Sequence, residues 1–287
     1  MMTTRAASRD DRLGCLGSQG APRRRHGSVG ESGGPRPRPG RRRRGEPRRT
    51  VGRCFAGQSV LFFGSYWPDP CASGAGVRTF SLLKAFLGDW KYARATYATP
   101  QKENECSERL TSTLEVHARR CQLNRRDDLA RLIATEARPD VVVFDRYTSE
   151  EAYSAAVHES APGALRVLDM QDSHATRLWR QEMDRDRCLS EVASSVPPAT
   201  FSVLQRELAA IHRSDLALVC SPSELRFLRD TCGVPPTKLC LASFFYPEAR
   251  EEEVLRFEER RDFVTVGTFL HPPNVAPWSG SAGTYGR

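Results

Sequence analysis

The sequence predicts an α/β fold, a Rossmann-like parallel sheet with helices on both faces, and three features of the chain predict it. Short apolar runs recur from Gln58 onward, most of them continuous rather than alternating, as strands covered on both faces require. Segments with helical spacing separate them, which gives the strand, helix, strand order of βαβ units. Prolines and capping residues stand at the joints.

The first run is VLFF (Val60 to Phe63). It leads into PDPCASGAGVRTFSLLKAF (Pro68 to Phe86), a glycine-rich loop feeding a helix near Val77, in which Val77, Phe80, Leu83 and Leu87 mark one face. ARATYA (Ala93 to Ala98) is the second run. In Asp127–Ala137, Leu129, Leu132 and Ile133 share a helical face. Arg138-Pro139-Asp140 ends that helix, because proline cannot continue it and restricts the residue before. VVVF (Val141 to Phe144) follows, then Arg146 and Tyr147, which suit a ligand contact but read first as an exposed loop, and LRVLD (Leu165 to Asp169). Asp172 precedes a helix carrying Thr176 to Gln181 and suits either its N-cap or a ligand contact.

Val203, Leu204, Leu208 and Ile211 mark a helix over Phe201–Ile211, which Asp215 is expected to end before LALVC (Leu216 to Cys220). Ser221-Pro222-Ser223-Glu224 reads as a capping box with proline at the first helical position. Its Ser221 hydroxyl would accept from the Glu224 amide while the Glu224 carboxylate reaches back to the Ser221 N–H. LCLASFF (Leu239 to Phe245) is the last run of this unit.

Charge divides the chain. Residues 1–54 hold fifteen arginines, no lysine and four acids, a net of +11, whereas the whole chain is +8, so the remainder carries −3. The basic character therefore belongs to the N-terminal segment. Rich in Gly, Pro, Ser and Arg, that segment lacks the apolar surface to offset chain entropy, and residues 1–57 are expected to be a disordered basic tail. The folded unit is expected over 58–247, a charged linker over 248–261 and the opening of a second domain over 262–287, where DFVTVGTFLHPPN (Asp262 to Asn274) reads as a first strand. No apolar run reaches the length of a membrane span, and no apolar stretch follows Met1 as in a secretory signal. Nine cysteines, an odd number without a C-x-x-C pair, suit a reduced cytoplasmic setting. Neither cofactor nor metal is expected, since His117, His158 and His212 have no partner at ligand spacing.

The glycine-rich loop departs from a dinucleotide fingerprint. Gly74-Ala75-Gly76 supplies G-x-G, but Thr79 holds the third glycine position and no acid ends a second strand about twenty residues on. The loop also begins too long after VLFF for the tight βα turn. A helix N-terminus with small residues still favours an anion, and Arg78 near that end calls for one.

Taken together, VLFF, the Pro-x-Pro loop and Gly-x-Gly-Val-Arg-Thr-x-x-Leu-Leu-x-Ala resemble the N-terminal domain of GT-B glycosyltransferases, in particular the subfamily-four-like N-terminal domain. RPDVVVFDRY (Arg138 to Tyr147), RVLDMQDSHATR (Arg166 to Arg177) and RSDLALVCSPSEL (Arg213 to Leu225) are similar to its later elements, in order. DFVTVGTFLHPPN resembles the entry to the second, donor-binding domain. The resemblance spans about Ser59 to Asn274.

It implies two facing Rossmann-like domains that transfer a sugar from a nucleotide sugar to an acceptor. On the matching positions, Gly74, Gly76 and Arg78 would lie near the donor diphosphate, Gly267 would approach it from the second domain, and Asp172 and His174 would contact substrate, with Asp145 at a strand end nearby. Relatives stabilise the departing diphosphate with an Arg/Lys pair and an E-x7-E motif of the second domain. The thirteen residues after Asn274 contain one charge, Arg287. The expectation is a glycosyltransferase-type domain, truncated at its donor side, with very weak or no transfer by this chain. Two alternatives stand beside it: a non-catalytic protein that binds a glycan or partner, and a nucleic-acid binder whose salt-dependent affinity resides in residues 1–54.

Overall fold

Seven parallel strands in the order β3-β2-β1-β4-β5-β6-β7 organise the chain. The computed structural model describes residues 57–183, 189–244 and 256–261. The basic tail, apart from Gly57, most of the expected linker, and the second-domain strand with Gly267 lie outside the described residues. The strands are β1 (Ser59–Phe63), β2 (Arg94–Thr99), β3 (His117–Arg120), β4 (Val141–Asp145), β5 (Leu165–Asp169), β6 (Leu216–Val219) and β7 (Leu239–Leu241). The chain steps outward from β1 to β3, returns to the centre at β4, and steps outward again to β7. Val60 pairs with Val141 across that return, so the topological switch point falls between β1 and β4. The fold is Rossmann-like, with helices on both faces.

The helices are α1 (Gly74–Lys84), α2 (Glu105–Leu114), α3 (Arg126–Arg131), α4 (Arg146–Ser160), α5 (His174–Met183), α6 (Leu189–Ser194), α7 (Ser202–Arg213) and α8 (Pro222–Arg226). Wider π-helical turns extend α1, α3 and α8 over Ala85–Asp89, Leu132–Ala137 and Phe227–Thr231. Alternation along each strand builds two cores. Leu61, Phe63, Val142 and Phe144 face the side covered by α3, α4 and α7, where they meet Ile133, Val157 and Ile211. Val60, Phe62 and Val143 face the opposite side with Leu82 and Leu83 of α1 and Leu110 of α2. All five residues of β4 are buried, as its continuous apolar run requires.

Several local expectations are revised. Arg146 and Tyr147 open α4 rather than forming an exposed loop, and Tyr147 is buried. Helix α1 begins three residues before Val77. The last run is a strand only through Leu241. Asp215 does not end a helix, because α7 stops at Arg213. It splices two strands: Asp215 Oδ2 accepts from Arg166 N–H at 2.8 Å while Asp215 N–H donates to Arg166 O. Asp140 makes the same joint with Ser59, its Oδ2 accepting from Ser59 N–H at 2.8 Å. Of the expected linker, residues 256–261 carry a short exposed turn, Phe257–Glu259, closed by an Arg256–Glu259 pair.

Candidate functional site

Residues 64–73 cross from β1 to α1 over the carboxyl ends of the strands. The amides at the helix end of this loop are engaged within it, and Gly64 N–H donates to Ala98 O of β2. Asp69 O accepts from Ala72 and Ser73 N–H, Asp69 Oδ1 accepts from Cys71 N–H, and the Ser73 hydroxyl caps the helix by accepting from Gly76 N–H at 3.0 Å. A helix leaves its first N–H groups without intrahelical acceptors. With Ser73 and Gly76 accounted for, the amides of Gly74 and Ala75 are left without a protein acceptor among the described residues.

Gly76 owes its identity to packing. A Cβ there would lie 2.0 Å from Asp69 O and 2.7 Å from Asp69 N, so only glycine lets the loop close against the helix. A Cβ on Gly74 would make ordinary contact with Phe244, 3.5 Å away. Gly64, which sequence reasoning passed over, is more constrained: a Cβ would meet the Tyr97 hydroxyl at 1.8 Å. That hydroxyl donates to Tyr66 O at 2.7 Å and holds the start of the loop.

The anion that Arg78 calls for is supplied by the protein. Arg78 is fully buried, and its Nε donates to Asp169 Oδ1 and Oδ2 at 2.8 and 3.0 Å. Its Nη1 donates to Ala242 O at 2.6 Å and Ser243 O at 3.3 Å. Arg78 thus ties α1 to the end of β5 and to the segment leaving β7. The expected diphosphate contact meets a guanidinium already committed on the protein side.

A cavity of about 150 Å³ opens beside this loop at the switch point, lined by Tyr66, Trp67, Asp69, Gly76, Thr79, Asp145 and Arg146 among others. Ligands of open α/β sheets bind at this position, outside the carboxyl ends of the strands. Asp145 is the last residue of β4 and is 6% exposed, and burial pushes its carboxyl up to about 6 against the opposing charge of Arg146. Arg146 Nη2 donates to Gln171 Oε1 at 3.3 Å, and Gln171 Nε2 donates to Thr79 Oγ1 at 3.0 Å. Thr79, at the position where a dinucleotide fingerprint has glycine, is a hydrogen-bond acceptor at the cavity wall.

Asp172 and His174 sit one strand further along. Asp172 Oδ2 accepts from Arg177 Nε at 2.7 Å, so it does not cap α5. Ser173 does, its hydroxyl accepting from Thr176 N–H, and Glu207 of α7 completes the cap from a distance. Glu207 accepts from His174 N–H at 2.7 Å and Ala175 N–H at 3.1 Å. Glu224 is likewise redirected. Its amide donates to Ser221 as expected, but its carboxylate accepts from Ser173 N–H rather than from Ser221. The His174 ring packs edge-on against Tyr147, with Nδ1 3.4 Å from Asp172 Oδ1. Burial lowers the basicity of that ring, Asp172 acting the other way.

Gly76 therefore lines the cavity and Gly74 offers an amide at the helix end. Arg78 lies behind the cavity wall, Asp172 and His174 form a neighbouring cluster, and Gly267 lies outside the described residues. A larger cavity, about 300 Å³, lies at the sheet edge by β3 and α3. Its Arg119, Arg125 and Arg131 are paired with Asp128 or Glu136. Among the described residues no helix is long and apolar enough to cross a membrane, and no group of three or more His, Cys, Asp or Glu side chains converges as metal ligands would.

No protein-family model and no curated protein sequence matches the chain. Among solved structures it is similar to Glycyrrhiza uralensis UGT73P12 complexed with glycyrrhetinic acid 3-O-monoglucuronide, with 12% sequence identity and a TM-score of 0.35. That likeness covers 63% of this chain and 49% of the other, so the chain spans about half the length of the structure it matches.

Proposed function

We propose that residues 58–247 are the acceptor-side domain of a two-domain glycosyltransferase that takes its sugar from a nucleotide-sugar donor. The observation that carries this reading is the cavity at the switch point between β1 and β4. There a glycine-bearing loop brings the N-terminal amides of α1 beside the buried, polar end of β4. Helix-terminal amides suit a diphosphate, and a carboxylate with a guanidinium suits the hydroxyls of a carbohydrate. The resemblance of the Gly-x-Gly-Val-Arg-Thr segment and of the later strands adds the reaction class. In this reading Gly74 and Gly76 stand nearest the diphosphate, and Asp172 and His174 border the substrate. Gly267 would face it from the donor side, and no metal takes part.

In such enzymes an Arg/Lys pair and glutamates of the second domain neutralise the departing diphosphate, and residues 262–287, where that domain would open, lie outside the described residues. We expect the chain to bind a nucleotide sugar or glycan, with at most very weak transfer. Calorimetry and nucleoside-diphosphate release, run on the full chain with a panel of uridine and guanosine diphosphate sugars, test both parts. Robust turnover would overturn the second. Failure of every nucleotide sugar and glycan to bind would overturn the domain reading itself.

A further inference from the structure

One residue lining the switch-point cavity has a carboxylate oxygen without a hydrogen-bond partner. Asp145 is buried, and its Oδ1 has no hydrogen-bond partner. The adjacent Arg146 Nε stands 3.6 Å from that oxygen, beyond a good N–H···O distance. Buried polar atoms are almost always paired, and the other buried aspartate among the described residues, Asp169, has both carboxylate oxygens bonded to Arg78.

The backbone around the carboxylate is also unusual. Arg146 has φ +73° and Gln171 has φ +62°, left-handed values that side-chain-bearing residues seldom adopt and that concentrate at ligand sites. The two residues follow adjacent strands and bond to each other, and Gln171 bonds onward to Thr79 of α1. Arg146 lines the cavity, with its side chain 20% exposed.

We propose that Asp145 and Arg146 together bind a hydroxyl group of a ligand in this cavity, the hydroxyl donating to Asp145 Oδ1 and accepting from Arg146. An oxygen can lie about 2.8 Å from both groups at once when they are 3.6 Å apart. Directly between these two side chains a bare anion is disfavoured by the carboxylate and a bare cation by the guanidinium, whereas the α1 end of the cavity keeps its preference for negative charge. A hydroxyl serves both sides. The cavity volume, about 150 Å³, corresponds to roughly five waters, room for one face of a polyol. That this hydroxyl belongs to the sugar acceptor rests on the transferase reading above; the site itself does not.

The charged and titratable groups that face Asp145 are Tyr97 from β2, Asp169 from β5, Arg78 from α1 and Arg146 from α4. Tyr97 is held well above its ordinary value by burial, and Asp169 is bonded to Arg78, whose own value is raised by that carboxylate against the effect of burial. Asp145 is then the group whose ionisation binding should report. Titrating the full chain with glycerol and with methyl α-D-glucopyranoside by saturation-transfer NMR, between pH 5 and 8, tests this. Affinity should be level above pH 6 and fall toward tenfold per pH unit below it, and Asp145→Asn should abolish the dependence. If that variant does not fold, the wild-type side-chain carboxyl resonance decides, because saturating probe should move its midpoint to lower pH. Binding that ignores pH, an unmoved midpoint, or no polyol binding would overturn the assignment. Nucleotide-sugar binding without polyol binding would leave the transferase reading standing. The reverse result would leave the hydroxyl site and remove that reading.

Discussion

Arg78 and Asp169, 91 residues apart in sequence, form a buried pair in which Nε reaches both carboxylate oxygens. The same guanidinium bonds to the carbonyls of Ala242 and Ser243, so one side chain joins α1, β5 and the chain leaving β7. Removing one member of such a pair strands the other charge in a low dielectric. Arg78→Ala and Asp169→Asn are each expected to destabilise the chain by about 3–5 kcal/mol, read by urea unfolding. Arg78→Lys should recover little, because an ammonium cannot span the carboxylate and the two carbonyls as a guanidinium does. A strongly positive coupling in the double-variant cycle is expected, and additive losses would show that the two act separately.

The two loop glycines should part company on substitution. Gly76→Ala places a Cβ 2.0 Å from Asp69 O, and backbone on both sides leaves little room to yield. A loss of about 1–3 kcal/mol or more is expected. Gly74→Ala meets only the Phe244 ring at contact distance and should be neutral or stabilise by about 0.4–1 kcal/mol through the unfolded chain. Equal effects in thermal unfolding would contradict the packing account of Gly76.

The paired strand joints supply a further comparison. Asp140→Ala removes the acceptor for Ser59 N–H, and Asp215→Ala removes that for Arg166 N–H. Each should cost about 1–2 kcal/mol and raise amide exchange at Ser59 and Arg166 respectively. Unchanged protection at those two amides would show that the carboxylates are incidental.

What could be read in advance follows from where the information sits. β1, β4 and β5 were legible because central parallel strands are apolar on both faces, a local property of the chain. β3 (His117–Arg120) was not, because an edge strand needs no apolar face and only Ala118 of its four residues is even partly covered. The glycines and Arg78 stood out, but the partner of Arg78 is 91 residues away, and nothing local marks Asp169 as its anion. The R-x-D sequences before β4 and β6 read as helix ends, whereas their aspartates bond to residues on the preceding strand in the sheet. Asp145 was visible as a strand-end acid, but its idle oxygen emerges only when every nearby donor is placed.

Glu207 carries the clearest pH dependence. It sits on α7, 2% exposed, and accepts from His174 N–H and Ala175 N–H to cap α5. Burial pushes its carboxyl from 4.5 up to about 7, although those same donors pull the other way. The folded state therefore holds a proton that the unfolded chain releases between pH 4.5 and 7. Stability from this group is fully present below pH 4.5 and is lost as pH rises through about 7, a swing on the order of 3 kcal/mol. Asp145, raised from 3.8 to about 6, acts with the same sign in a lower window. Unfolding free energies of the full chain should fall from pH 4.5 to 7.5, and Glu207→Gln should flatten the upper half of that slope. The variant also places an amide NH2 among backbone donors, so α5 should fray first, seen as faster exchange at Ala175 and Thr176. A wild-type slope that persists in Glu207→Gln would assign the proton to another group and leave Glu207 as a plain ionised cap.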